Sequence, residues 1–378
     1  MGKSIIIYLF TYSLSIILMA FYAKTNSKEK RVALLLGNFR CSLPHIKSLL
    51  WCILIIAPIV VLATIRYDVG IDWSSYLEIS KYAQAYPDKI MEKNYLEIGY
   101  RVLSWISAYL FPTEWGIFFV TALIFMLFIF AICMKYKKEL SMPFMLFMFY
   151  FLYLHIFYNI TRQMLAAIIL LYGYKFLTEN KILYYIGIVF VASLLHKSAL
   201  VVLAFIFIRK WVVKKSSRVH SFLFICFTSP LWTYFILGVV KRIVGIMFPK
   251  YLKFMTTTSE FSLTYVLYIF PPIIFIYYFG KEIIKSNEEY CMGMLLICLQ
   301  IPIQAMGSYY VTIDRLYLYP GMIQVILIPQ IIYNLKNKKT RIEAYLLFIL
   351  WFVIRFIYME FIQNGQGTAI YQTIFSHY

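Results

Sequence analysis

The sequence predicts an all-α polytopic membrane protein of about twelve segments, and three observations carry that reading. Of 378 residues, 62% are hydrophobic and 14% charged, with a mean hydropathy of +0.75, and apolar runs recur near the ~20-residue length that crosses a bilayer core. Long runs such as Trp115 to Met134 do not alternate, which excludes a transmembrane barrel built from ~10-residue alternating strands. Lys and Arg outnumber Asp and Glu by 36 to 17, yet the excess sits in short connections between apolar runs. That is the positive-inside pattern of cytoplasmic loops, not a nucleic-acid surface.

The candidate spans, in order, are 4 to 23, 47 to 64, 115 to 134, 142 to 158, 163 to 178, 182 to 196, 199 to 208, 219 to 239, 264 to 279, 290 to 306, 316 to 334 and 342 to 360. The first lacks a short apolar region ending in a small-residue cleavage site, and a second span follows it, so it is expected to stay in the membrane. Four connections are dense in Lys and Arg: Lys24 to Lys47, Lys135-Tyr136-Lys137-Lys138, Arg209 to Arg218, and Lys336 to Arg341. These are assigned to the cytoplasm. The loop from Arg66 to Glu97 carries six acidic and four basic residues and is assigned outside.

The alternation holds only if residues 98 to 111 (IGYRVLSWISAYLF) do not cross. With 14 residues and Arg101 inside it, this stretch is short for a span and suits an interfacial or re-entrant helix. The expected outer parts are therefore the 65–114 loop with its interfacial helix and the 361–378 tail, with both termini outside. The whole chain, 1–378, is expected to form a single transmembrane domain.

The stretch Ile182 to Ile208 is too long for one span: its 27 residues would make a helix of ~40 Å against a core of ~30 Å. Its polar interruption is His196-Lys197-Ser198, where Ser198 suits the start of a new helix. Basic residues flank the stretch on both sides, so an even number of passes is required. His196 then lies at the tip of an outward-opening hairpin, whose second leg is read as a half-helix lining a cavity.

On this topology the ionisable residues near the membrane gather at one side. Arg66 and Asp72 follow the second span, Glu97 ends the outer loop, Arg162 follows the fourth span, His196 tips the hairpin, and Arg315 precedes the eleventh span. Ionisable groups beside hydrocarbon are costly and tend to be kept for a site or a pairing. Several guanidinium groups at one cavity suit a phosphate or diphosphate, because each offers fixed bidentate donors and keeps its charge. Each residue also has a plainer explanation. Arg162 and Arg315 can snorkel to the interface, His196 can satisfy a helix break, Asp72 can pair with Arg66, and Glu97 can pair with Arg101 four residues later. The six cysteines are scattered without metal spacing, and the five histidines lack HxxxH or HExxH partners, so no metal or other cofactor is expected.

The motifs Arg66-x3-Gly70-x-Asp72-x3-Tyr76, Glu97-Ile98-Gly99-Tyr100, Asn159-Ile160-Thr161-Arg162-Gln163 and Leu195-His196-Lys197-Ser198-Ala199 resemble the EpsG family of bacterial polysaccharide polymerases, similar in role to Wzy-type O-antigen polymerases. The likeness is strongest over residues 60 to 210 and weaker around Arg315-Leu316-Tyr317. Where this chain has Ile71-Asp72-Trp73, family members often carry Thr-Asp-Tyr. The resemblance implies a GT-C-like architecture and a multi-pass protein of the bacterial inner membrane, with its active site facing the periplasm. It also implies transfer of a growing glycan from undecaprenyl diphosphate to the terminal hydroxyl of a second lipid-linked repeat unit, in polysaccharide or lipopolysaccharide synthesis. A chain-length regulator is a partner implied by the resemblance alone.

Within that reading Arg66, Arg162 and Arg315 are candidates to stabilise the diphosphate leaving group without a metal. His196, Asp72 and Glu97 are candidates for the base, with His196 favoured because neutral imidazole is available near pH 7. Trp73 and Tyr76, with Asn159 and Gln163, are candidate sugar contacts. A transporter or flippase of lipid-linked oligosaccharide is the main rival, and a membrane glycan ligase is chemically the closest. An acyltransferase would need an acyl donor and a differently placed His.

Overall fold

Backbone polar groups find no partner in lipid, so a chain this apolar should close its hydrogen bonds within helices. The computed structural model describes residues 1–36, 43–247, 263–307 and 311–376, and among these it contains helices and no strand. The first part of the chain runs through α1 (Gly2–Leu36), α2 (Leu43–Thr64), α3 (Trp73–Ala85), α4 (Ile98–Leu110), α5 (Gly116–Lys135), α6 (Met142–Asn159), α7 (Thr161–Thr178) and α8 (Ile182–Ser193). The second runs through α9 (Ala204–Phe207), α10 (Ser216–Met247), α11 (Leu263–Ser286), α12 (Glu288–Cys298), α13 (Gln300–Gly307), α14 (Val311–Asp314), α15 (Leu318–Gly321), α16 (Gln324–Asn334) and α17 (Lys338–Phe356).

Seven stretches among the described residues are long and apolar enough to cross a membrane: Gly2–Thr25, Lys47–Thr64, Gly116–Lys135, Met142–Asn159, Glu288–Gly307, Arg315–Asn334 and Lys338–Ile362. The other five segments in the sequence count of about twelve are helical too. One of them, α8, has only 12 residues. After it the chain turns at 194–196 and resumes as a 3-10 helix over Lys197–Leu203, then α9, then a π turn over Ile208–Val212. The break expected at His196 is therefore present, and it restarts as a tighter helix. Ser198 Oγ lies 2.7 Å from the Tyr319 hydroxyl.

The chain divides into two compact units. Unit 1 comprises Met1–Tyr172, Val191–Lys197 and Ile349–Tyr378. Its centre is α6, which is 89% buried although nearly every one of its residues is large. α1 and α5 pack on α6, α2 packs on α1 and α5, and α4 lies against α3 and α5. α4 presents Tyr100, Ser104 and Ser107 inward and leaves Trp105 and Tyr109 exposed. An aromatic outer face of this kind suits the membrane interface. Unit 2 comprises Gly173–Phe190 and Ser198–Phe348, and in it α10 packs on α13, and α11 on α12 and α16.

Two local features shape unit 1. Beyond α17 the helix widens into a π turn over Ile357–Ile362, and Glu360 is buried there. The tail that follows folds back on the loop after α2. Tyr67 N–H donates to Gln372 O at 2.9 Å, Gly70 N–H to Gly367 O at 3.0 Å, and Ile374 N–H to Ile65 O at 2.9 Å, while Arg66 and Thr373 form an antiparallel bridge.

Candidate active site

The site in unit 1 is assembled from three chain segments held by backbone geometry. The first is the loop 65–72, which turns through Asp68 at φ 52° and Gly70 at φ 102°. A Cβ on Gly70 would stand 3.0 Å from Asn159 Oδ1 and 3.1 Å from Tyr158 O, so glycine is required there for conformation and for space. The second is the elbow between α6 and α7, where Ile160 leaves helical geometry at φ −97°, ψ 52°. Asn159 fastens the elbow to its neighbours: its Oδ1 accepts from Asp72 N at 3.4 Å, and its Nδ2 donates to Gln366 O at 2.9 Å and Gln366 Oε1 at 2.5 Å.

The third segment is the start of α4 against the 194–196 turn. Gly99 N–H donates to Leu194 O at 2.7 Å, and a Cβ on Gly99 would lie 2.7 Å from that same oxygen. Only glycine lets the two backbones approach so closely, and the approach brings Glu97 to His196. Glu97 is the N-cap of α4, in extended geometry, and its side chain makes no cap hydrogen bond. The carboxylate is instead shared. Glu97 Oε2 accepts from Arg162 Nη1 at 2.6 Å, and Oε1 lies 3.6 Å from His196 Nδ1. Arg162 also hydrogen-bonds Tyr76, and its Cζ lies 5.8 Å from the Tyr100 ring centre. The side chains of Arg162 and His196 are each 30% exposed and that of Glu97 is 12% exposed. The cluster therefore faces the surroundings over a floor of Tyr76 and Tyr100, whose rings are 5.8 Å apart. Burial raises the Tyr76 hydroxyl pKa, with the Arg162 charge opposing, so Tyr76 remains a neutral donor and acceptor.

Arg66 lies deeper. It is 2% exposed, its Cζ lies 4.4 Å from the Tyr158 ring centre and 5.1 Å from that of Phe118, and its Nε and Nη1 have no hydrogen-bond partner. Burial lowers its pKa to about 10, with nearby tyrosines such as Tyr158 opposing, so the guanidinium stays charged at neutral pH. It forms no ion pair with Asp72 among the described residues. Asp72 is half-buried at the N-cap of α3. Trp73 is packed at 5% exposure against Tyr67, Trp115 and Phe118, and Gln163 is buried. Glu97, Asp72, Trp73, Tyr76, Asn159, Arg162, Gln163, His196 and Arg66 thus all belong to unit 1. Arg315 belongs to unit 2, exposed on the 3-10 turn Arg315–Tyr317. It follows Asp314, whose carboxyl burial pushes above the usual range, with Arg315 opposing.

Sequence reasoning missed a buried polar chain beneath this site. His155 Nε2 lies 2.8 Å from the Tyr12 hydroxyl and Nδ1 lies 2.6 Å from Thr368 Oγ1, while Glu360 Oε2 accepts from Thr368 Oγ1 at 3.2 Å. The polar run Asn364-Gly365-Gln366-Gly367-Thr368 after an apolar span was the available signal. Among the described residues, no three His, Cys, Asp or Glu side chains are grouped as a metal site.

The EpsG family model matches residues 49–373. This chain belongs to the EpsG family. EpsG proteins are Wzy-like polymerases, and the matched region contains Arg66, Glu97, Arg162 and His196. Membership makes this a membrane protein of a polysaccharide-polymerase family and points to repeat-unit polymerisation on lipid-linked sugars. No curated protein and no solved structure matches the chain.

Proposed function

We propose that this EpsG-family protein transfers a growing glycan from undecaprenyl diphosphate onto the terminal sugar hydroxyl of a second lipid-linked repeat unit, at the periplasmic face of the inner membrane. The observation that carries this reading is the single carboxylate of Glu97 shared between Arg162 and His196. In this chemistry the acceptor oxygen bonds to the anomeric carbon, the C–O bond to the diphosphate breaks, and the diphosphate leaves with the bonding electrons. Negative charge therefore develops on the leaving group, where a preplaced guanidinium stabilises the transition state more than the ground state. Arg162 is the group placed to do this, since only part of its donor fork is used by Glu97 and Tyr76.

The acceptor proton goes to His196. Glu97 beside Nδ1 favours the tautomer with the proton on that nitrogen, which supports Nε2 as the base, and the carboxylate stabilises the imidazolium that forms. Asp72 positions an acceptor hydroxyl from the N-cap of α3. Arg66, one layer below, adds positive potential to the leaving-group side, and Arg315 is the candidate of unit 2 for an anionic group. Tyr76, Trp73, Asn159 and Gln163 form and brace the floor on which sugar rings rest. The 65–114 loop and the tail after 361 make the outer vestibule, within a path of about twelve membrane segments. No step requires a metal.

Incubation of the purified protein with undecaprenyl-diphosphate repeat unit in EDTA tests this. Wild type is expected to give a ladder of products, and Arg162→Ala and His196→Ala, confirmed folded, to give none. A wild-type protein that makes no ladder but moves the lipid between liposome leaflets would replace this reading with transport.

A further inference from the structure

Unit 2 contains a cavity of about 470 Å³ far in sequence from the residues used above. It lies where three helix ends meet. The first turns of α10 contribute His220 and Leu223, and the last turns of α11 contribute Tyr277, Lys281, Ile284 and Lys285. The four α11 residues are spaced i, i+4, i+7, i+8 and so line one face. The first turns of α12 add Glu288, Cys291 and Leu295. The cavity is graded: Leu223, Ile284 and Leu295 form an apolar interior, and the charges stand at the helix ends.

Two features suit a mouth at headgroup depth on the cytoplasmic side. The turn leading into α10 is the Arg209 to Arg218 cluster, in which Lys214 and Lys215 are exposed and positive-inside bias assigns the cytoplasm. Trp211 and Tyr277 are both exposed at these helix ends, as interfacial aromatics are, and Arg218 is fixed over Trp211 at 4.5 Å while donating to its carbonyl at 3.1 Å.

The cations at the mouth are available. Lys281 has no ion pair with a described residue. Lys285 faces Glu282 at 3.9 Å with both side chains more than two-thirds exposed, a contact too loose and too solvated to hold the ammonium. Glu288 adds one carboxylate at the same rim. Two ammonium groups with one carboxylate match a phosphodiester that also carries hydroxyl donors, and they suit a bare phosphate less well.

We propose that this cavity binds one anionic phospholipid of the inner leaflet, with its phosphodiester on Lys281 and Lys285, a headgroup hydroxyl on Glu288, and an acyl chain against Leu223, Ile284 and Leu295. The site is independent of the polymerase chemistry and stands or falls separately from it. Basic pockets between helices at the cytoplasmic side are where anionic headgroups are held, each Lys adding a similar increment of attraction.

Cys291 is the built-in reporter. It lines the cavity and is the one described cysteine that is not fully buried, so an occupant should shield it. The full-length protein is placed in nanodiscs of phosphatidylcholine, phosphatidylethanolamine or phosphatidylglycerol, and maleimide labelling at Cys291 is followed by peptide mass spectrometry. Phosphatidylglycerol should slow labelling about tenfold relative to phosphatidylcholine, and Lys281→Gln with Lys285→Gln should remove that protection. Equal rates in all three lipids, or equal protection by phosphatidylethanolamine, would overturn the proposal. Protection in phosphatidylcholine discs by inorganic phosphate alone would also overturn it, in favour of a soluble-anion site. The outcomes that would overturn the proposal are all read on wild type, so a misfolded variant cannot obscure them.

Discussion

Arg162 and Arg66 lie in one unit and on motifs of the same resemblance, yet their surroundings are opposite. The Arg162 side chain is 30% exposed, and its guanidinium is held by a carboxylate at 2.6 Å. Arg66 is 2% exposed, and its guanidinium meets aromatic rings and leaves two nitrogens without partners. A paired, partly exposed arginine can exchange some of its contacts for a ligand's oxygens at little penalty. A caged arginine cannot reach a ligand without the loop moving, so its influence is through charge and through the loop it anchors. The same residue type therefore does different work according to whether its donors face outward or inward.

The largest expected effect tests the exposed half of this contrast. Arg162→Ala should reduce polymerisation about 10²- to 10³-fold, the scale for losing one preorganised charge donor. Arg162→Lys should recover only part of the rate, because an ammonium lacks the planar fork. If product-ladder assays show Arg66→Lys to be more damaging than Arg162→Ala, the contrast is reversed. Next in size is Glu97→Gln, expected to slow turnover about 10²-fold by removing the charge that orients His196 and balances the imidazolium. An unchanged rate would separate Glu97 from the chemistry.

Gly99→Ala should come third. The added methyl meets Leu194 O at 2.7 Å, and forcing the backbones apart costs about 1–3 kcal/mol. The rate should fall while substrate binding is retained, because the Arg162–Glu97 pair survives and the Glu97–His196 contact does not. Smallest and opposite in sign is Arg66→Met in a thermal-unfolding measurement. Replacing an unpaired buried charge with an apolar chain of similar length should leave stability unchanged or raise it by about 1 kcal/mol, whereas a marked loss of stability would mean that the cage itself holds the loop.

The helical class was legible because apolar run length reports on a bilayer directly, and the charged residues of the candidate site could be singled out because each is unusual beside hydrocarbon. Their partnerships were not. Spacing offered Arg101 to Glu97, but Glu97 sits at an N-cap, where its side chain leaves the helix face that Arg101 occupies, and Arg101 turns to Met91 O and Asn94. The burial of Arg66 had no local signal in the sequence. What buries it are Phe118, Tyr158 and a tail that pairs with it from residue 373. The buried chain of His155, Thr368 and Glu360 was signalled only by the polar run after the last span, since Glu360 sits on a π turn, which leaves no mark in hydropathy.

That tail has a consequence for how the protein is made. Tyr371 N–H donates to Ser4 Oγ at 2.9 Å and Tyr8 donates to Thr368 O at 3.0 Å, so α1 is synthesised some 360 residues before the segment that completes its packing. The loop bearing Arg66 and the elbow bearing Asn159 wait for the same segment. During synthesis the candidate site is therefore an unfinished surface until the segment after α17 folds back, so a nascent chain that ends at its sixteenth helix still lacks the hydrogen bonds that brace that loop and elbow.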